Sequence, residues 1–261
     1  MIVDVMHRPD RRIDESLQLQ REHASQSEQR DYTYELAVAH LTARGLPESE
    51  VRGGSMPESS LERCGEVFQS QFEHAGPLTI LHVGNFLGVS LSWFADFARR
   101  WSPQSRVVAI DPNVIHRGIE RPQEHAIDLL TGFGLDDRVL LVTGYTLRKN
   151  PSDLPLDDPG AHFARDQSCQ NALPHLAALA PGSIDIALID GNHEPAYLSR
   201  ELAELRTLLR PGGLLVLDDV FEWRSLAPVG RELNASVDTT LLFRDQRLGV
   251  WQVRGDAWRY P

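Results

Sequence analysis

The sequence predicts an α/β protein built on one mostly parallel sheet. Short apolar runs alternate along the chain with longer segments of helical spacing, the pattern of successive β–α–β units. The runs are continuously apolar, as expected of strands covered on both faces. The length, 261 residues, suits one large core with a smaller segment beside it. Right-handed crossovers then bring the C-terminal ends of the parallel strands to one edge, where open sheets build their sites.

Each element follows in order. Residues 1 to about 30 are polar, rich in Arg, Gln and Glu, and read as a loose helix or a disordered arm. Tyr32 to about Arg44 has helical spacing and stops at Gly45-Leu46-Pro47. A loop is expected over 49–60, then a second amphipathic helix that ends near Gly76. Residues 1–76 thus form an arm and a helical cap, and 77–261 the regular domain.

The first strand is LTILHVG from Leu78, followed by the helix LSWFADFARRW. RVVAIDPN is the second strand, with a helix near Ile119–Phe133. RVLLVTG is the third, separated by a Pro/Asp-rich stretch at Asn150–Gly160 from a helix around Cys169–Leu179. SIDIALID is the fourth, and its helix YLSRELAELRTLLR is closed by Pro211-Gly212-Gly213. LLVLDD is the fifth, trailed by a helix near Ala227–Leu233. TTLLF and LGVWQV, joined by Arg244-Asp245-Gln246-Arg247, make a hairpin, so one late strand must run antiparallel.

Composition excludes several classes. A net charge of −11 leaves no broad basic surface to neutralise phosphates, which argues against a general nucleic-acid binder. The two cysteines, Cys64 and Cys169, lie far apart without metal-ligand spacing, so neither a disulfide framework nor a structural zinc site is expected. No apolar run approaches the ~18–20 residues of a membrane span. The N-terminus lacks the apolar core of a secretion signal, and a cytoplasmic protein is the expectation. Lys149 is the sole lysine and sits in a polar loop, which disfavours Schiff-base chemistry.

Asp190 ends the fourth strand, and Asp218-Asp219 the fifth. Two other Asp pairs, at 136–137 and 157–158, lie in loops; the buried strand before Asp218 sets this pair apart. Three carboxylates gathered at one edge repel one another unless a positive group sits among them, and a hard divalent cation such as Mg²⁺ is the simplest candidate. The bland alternative is that Asp219 caps a turn and Asp190 opens an Asx-turn with Gly191.

The first strand turns into its helix through HVGNFLGVS, where Gly84 and Gly88 let the backbone approach a ligand near helix-terminal amides and Ser90. This spacing is neither the G-x-G-x-x-G dinucleotide fingerprint nor a GK[ST] phosphate loop. Asp111, closing the second strand, can accept hydrogen bonds from ribose hydroxyls, or else caps the turn before Pro112.

With these stretches, HVGNFLGVS, VVAIDPN, ALIDGNH, LLRPGGLLVLDDV and the final hairpin, the chain resembles the class I S-adenosylmethionine-dependent methyltransferases. It is most similar to the metal-dependent O-methyltransferases of natural-product and catechol type. The resemblance covers roughly residues 78 to 253 and implies a Rossmann-like, doubly wound seven-stranded sheet of order 3-2-1-4-5-7-6 with strand 7 antiparallel. It implies S-adenosylmethionine bound by His82, Gly84, Asn85, Phe86, Gly88, Ser90, Asp111, Tyr145 and Asp190. It further implies Mg²⁺ or another divalent cation on Asp190, Asp218 and Asp219, with Asn192 completing the shell. His193 stands where catechol-type relatives place their base, and an imidazole suits proton removal at neutral pH; Asp190 is the alternative base. The sequence departs from the family at His82 and Tyr145, where acids are common, although Tyr145 can stack on a purine.

The expectation is therefore an Mg²⁺-dependent O-methyltransferase acting on a small hydroxylated molecule such as a sugar, polyketide or phenol. A metal-independent O- or N-methyltransferase is the alternative; a nicotinamide-dependent oxidoreductase and a non-catalytic binding module are further rivals. Gly53-Gly54-Ser55-Met56-Pro57 is either a segment folded over the acceptor or an ordinary loop. Trp223 is either a wall of the acceptor pocket or a packing residue. The N-terminal helices offer a homodimer contact.

Overall fold

The computed structural model describes residues 31–147 and 172–254. Its sheet contains β1 (Thr79–Val83), β2 (Arg106–Asp111), β3 (Val139–Thr143), β4 (Ile184–Ile189), β5 (Leu209–Leu217), β6 (Thr239–Arg244) and β7 (Gly249–Val253). Their order is β3-β2-β1-β4-β5-β7-β6. β1 to β5 run parallel, and β7 is antiparallel to both β5 and β6. This is the topology expected from the sequence.

Period-two alternation divides the strand side chains between two cores. Ile80, Ile186, Leu188, Leu214 and Val216 face one; Leu81, Val83, Ala187, Ile189, Leu215 and Leu217 face the other. On the first face pack α1 (Tyr34–Ala43), α2 (Glu48–Gly53), α3 (Glu58–Phe72), α4 (Val89–Trp101) and α5 (Pro122–Gly132). On the second lie α6 (Ala172–Leu179), α7 (Pro195–Leu208) and α8 (Ala227–Ala235). Both faces being covered explains why the central strands read as unbroken apolar runs.

The cap belongs to the first core. Phe68 of α3 meets Phe94 and Phe97 of α4, with ring centroids 5.9 and 5.5 Å apart. Phe68 and Phe94 are fully buried, and truncating such a ring to alanine costs about 3–5 kcal/mol.

Two local features differ from the sequence reading. The segment expected as a loop at 49–60 contains α2. Glu48 and Glu50 lie in its first turn, where carboxylates favour the helix dipole. Glu48 pairs with Arg52 one turn on at 2.7 Å, and Val51 is buried. The second difference is at Pro211-Gly212-Gly213, which lies inside β5 and does not close its preceding helix. Ile184 pairs with Leu209 but Ile186 with Leu214, so the intervening residues bulge from the ladder. Gly212, at φ 77°, supplies the backbone conformation the bulge needs. The arm at 1–30, the Pro/Asp-rich stretch and Cys169 lie outside the described residues.

Candidate active site at the carboxyl edge of the sheet

A cavity of about 610 Å³ opens at the C-terminal edge of the sheet. Among the described residues its wall draws on the ends of β1, β2, β4 and β5, the segment after β3, the turn before β7 and the cap. The cap contributes Gly53 and Gly54. A Cβ on Gly54 would lie 2.2 Å from the Phe86 ring, so glycine lets this turn close on the cavity. Arg117 also reaches the cap, its Nε donating to Glu50 at 2.7 Å. Ser55 and Met56, the next residues, are buried.

The turn after β1 is shaped by close backbone contact. Gly84 has φ 84°, and a Cβ there would sit 2.0 Å from the carbonyl oxygen of Asp190. No other residue fits both constraints. Asp111 fixes the same turn: one carboxylate oxygen accepts from the amides of Asn85 (2.7 Å) and Phe86 (3.2 Å). Its other oxygen accepts from the Asn113 amide at 2.7 Å. Of four carboxylate lone pairs these bonds use three, and Asp111 lines the cavity with Gly84, Phe86 and Tyr145.

The remaining expected cofactor contacts sit elsewhere. His82 is fully enclosed, its Nδ1 3.0 Å from the Asn85 side chain and its ring edge-on to Phe94. It shares a face with Ile80, so alternation turns it into the first core. Ser90 accepts the Met56 amide at 3.0 Å and ties α4 to the cap. Gly88, at φ 87°, allows α5 to approach, since its Cβ would meet Ala126 at 2.7 Å.

The acidic edge separates into two parts. Asp218 continues the face of Leu214 and Val216, and is held by Arg247, whose Nε donates to one oxygen (2.8 Å) and Nη2 to the other (2.6 Å). Asp219 has φ 58°, which breaks the strand and turns its carboxylate to the cavity. It lies 3.1 Å from His193 Nε2 and 2.7 Å from Arg247 Nε. These are close charge contacts, and among the described residues His193 Nε2 and Asp219 Oδ1 are buried with no other polar partner. Asp190, His193 and Asp219 each present a ligand atom, all within 4.8 Å of one another. That set differs from the three carboxylates expected: it includes His193 and leaves out Asp218, which Arg247 holds. Asn192 lines the cavity while its side-chain oxygen accepts the Glu194 amide at 2.8 Å.

Electrostatics follow the geometry. Burial raises Asp190 well above the usual carboxylate range, and the charge of Asp218 adds to this. Burial also raises Asp218, against the opposing pull of Arg247. Burial acts upward on Asp219 too, but His193 and Arg247 outweigh it and hold that carboxyl below its ordinary value. The imidazole of His193 stacks on Trp223, centroids 4.9 Å apart at 29°. Trp223 remains 48% exposed, an aromatic face presented at the cavity rather than a packed core residue.

Sequence reasoning passed over Arg247, Thr146, Tyr197 and Glu201, all of which line the cavity. A signal for Arg247 was present in the hairpin. An antiparallel β7 beside β5 pairs Gly249 with Leu217, so the turn before β7 must return to the edge that carries Asp218. The other three depend on α7 reaching across to the segment after β3, which no local pattern encodes.

A family model described as a methyltransferase domain matches residues 81–220. No curated protein matches the chain. Among solved structures, an O-methyltransferase from Bacillus cereus in complex with S-adenosylhomocysteine is 18% identical, with a TM-score of 0.57 over 90% of this chain and 96% of that one. The O-methyltransferase TomG from Streptomyces achromogenes, involved in tomaymycin synthesis and bound to S-adenosylmethionine, is 19% identical, with a TM-score of 0.54 over 90% and 95%. A methyltransferase from Geobacter sulfurreducens is 20% identical, with a TM-score of 0.53 over 94% and 98%. At these identities the likeness is one of fold.

Proposed function

The chain belongs to the methyltransferase-domain family, and from that premise we propose that it transfers a methyl group from S-adenosylmethionine to a hydroxyl oxygen of a small molecule, with a divalent cation at the acceptor end. One observation carries the reading. Asp190, His193 and Asp219 converge on the same cavity as the glycine turn at Gly84, which supports a reading in which a proton acceptor and an ion site stand beside a bound methyl donor.

Methyl transfer from a sulfonium is an in-line displacement with a good leaving group. The protein's work is alignment and making the acceptor oxygen nucleophilic. His193, whose imidazole lines the cavity, takes the hydroxyl proton. Asp219 stands beside it and stabilises the imidazolium that forms. Carboxylate oxygens of Asp190 and Asp219 within 4.8 Å of each other fit a hard divalent cation and would hold it. Such an ion, when bound, makes the acceptor hydroxyl more acidic and offsets the charge that develops on its oxygen. Arg247 keeps Asp218 apart, and Trp223 offers the acceptor a flat apolar wall. Gly53 and Gly54 close the cavity from the cap. The net charge of −11 favours a small acceptor, such as a sugar, polyketide or phenol of secondary metabolism, over a nucleic acid.

The 4.8 Å grouping also favours a second reading, in which the imidazole is a ligand. Mixed carboxylate and imidazole donors suit Mn²⁺ better than Mg²⁺. Titrating Mn²⁺ into wild type and His193→Ala separates the two: a lost ion affinity assigns a ligand, whereas retained affinity with lost turnover assigns a base.

The function itself is tested by screening hydroxylated small molecules for transfer of a radiolabelled methyl group, before and after exhaustive chelation. Transfer that disappears on chelation and returns with Mg²⁺ or Mn²⁺ is expected. Full transfer after chelation would remove the ion and leave the metal-independent alternative, and transfer confined to amines would remove the oxygen acceptor.

A further inference from the structure

Glu201 is a buried carboxyl that the acceptor chemistry does not use. It lies on α7 with 1% of its surface exposed, yet it lines the cavity. One oxygen, Oε1, accepts the hydroxyl of Thr146. The other, Oε2, is buried with no hydrogen-bond partner among the described residues. An unpaired acceptor in a low-dielectric wall is costly, and a ligand that donates to it removes the cost.

The surroundings hold this oxygen in place. Tyr197, one turn before Glu201, lies with its hydroxyl 3.0 Å from Thr146 Oγ1, and it both accepts from the Leu147 amide (3.2 Å) and donates to the Leu147 carbonyl (3.1 Å). The segment after β3 is therefore fastened to α7, and Glu201 belongs to that joint. Strand order then says which part of a ligand meets it. The reacting end lies at Asp190 and Asp219, beyond β4 and β5, whereas Asp111 closes β2. A methyl donor whose ribose reaches Asp111 carries its base further along the same edge, to the segment after β3.

We propose that Glu201 is a cofactor-contacting residue whose Oε2 accepts a hydrogen bond from the exocyclic amine of adenine, and that it selects a 6-aminopurine. The assignment rests on the cofactor reading above. The groups facing the carboxyl are Thr146, Tyr197 and, at longer range, Arg200; burial pushes it up to about 7, so binding is measured at pH 8, where Oε2 is an acceptor.

The experiment is calorimetry on the full chain with S-adenosylhomocysteine and its deaminated analogue, S-inosylhomocysteine, which presents a carbonyl in place of the amine. Wild type should prefer the amine by about tenfold or more, the scale of one buried hydrogen bond. Glu201→Gln, nearly the same shape, can donate to the carbonyl and should erase or reverse the preference. An unchanged ratio in Glu201→Gln, or no preference in wild type, overturns the assignment. The wild-type ratio decides by itself if the variant does not fold. Absence of any binding of S-adenosylhomocysteine to wild type would sink the cofactor reading, a result distinct from binding without discrimination.

Discussion

Arg247 grips Asp218 with two parallel hydrogen bonds of 2.8 and 2.6 Å, and the same guanidinium stands 2.7 Å from Asp219. The β6–β7 hairpin thus delivers a fixed positive charge to the end of β5, where burial makes unpaired carboxylates expensive. Asp218 is a support for the site in this arrangement, and Asp219 is the residue presented to the cavity.

Removing only one member of that pair should be harsh. Arg247→Leu leaves Asp218 buried and uncompensated, with an expected loss of about 3–5 kcal/mol. Adding Asp218→Asn to Arg247→Leu should recover most of it. Urea unfolding of the two single variants and the double variant measures the coupling; additive losses would mean that the pair does not hold the edge together.

Asp219 can be separated from its fold. Its φ of 58° is a conformation that Asn tolerates, so Asp219→Asn should unfold within about 1 kcal/mol of wild type. Methyl transfer should nevertheless fall by about 10²-fold or more, the scale of a disabled proton transfer, while S-adenosylhomocysteine still binds. Unimpaired turnover would take Asp219 out of the chemistry.

Two glycines of similar φ isolate the close approach behind the first strand. Gly45 and Gly84 have φ 90° and 84°, but among the described residues a Cβ on Gly45 meets nothing within 4 Å, whereas one on Gly84 lies 2.0 Å from Asp190 O. Gly45→Ala should cost only the left-handed strain, about 1–2 kcal/mol. Gly84→Ala should cost clearly more and abolish cofactor binding. Equal losses in thermal melts would remove the argument that backbone contact sets this turn.

His82 gives a pH signature. Burial lowers its folded-state value to about 4 from 6.5, so between those values the unfolded chain binds a proton that the folded chain refuses. Stability present above pH 6.5 is therefore lost as pH falls toward 4, by up to about 3 kcal/mol from this group. Denaturant titrations across that window should show a shallower acid slope in His82→Gln than in wild type. Parallel slopes would mean that His82 ionises freely.

Much of the fold was legible because burial on both faces writes itself as apolar runs, and the strand ends at Asp111, Asp190 and Asp219 could be read directly. What escaped depends on long-range geometry. Asp218 and Asp219 look alike in sequence, and only the alternation of β5 together with the φ of Asp219 sends them to different surroundings. His82 was read with the turn it precedes, yet strand periodicity commits it to the core. Glu201 is one acidic position in a charged helix, and its meaning comes from Thr146, 55 positions away. The helix α2 is six residues long, and its short turn depends on the buried Val51 and its Glu48–Arg52 pair rather than on a repeating apolar face.

The most direct test is NMR detection of transfer from S-adenosylmethionine labelled with ¹³C at the methyl group to a panel of hydroxylated small molecules. A methyl signal at the shift of an ether, produced by wild type and lost in Asp190→Asn while S-adenosylhomocysteine still binds, is the expected result. A methyl signal on nitrogen alone, or ether formation undiminished in Asp190→Asn, would contradict the account.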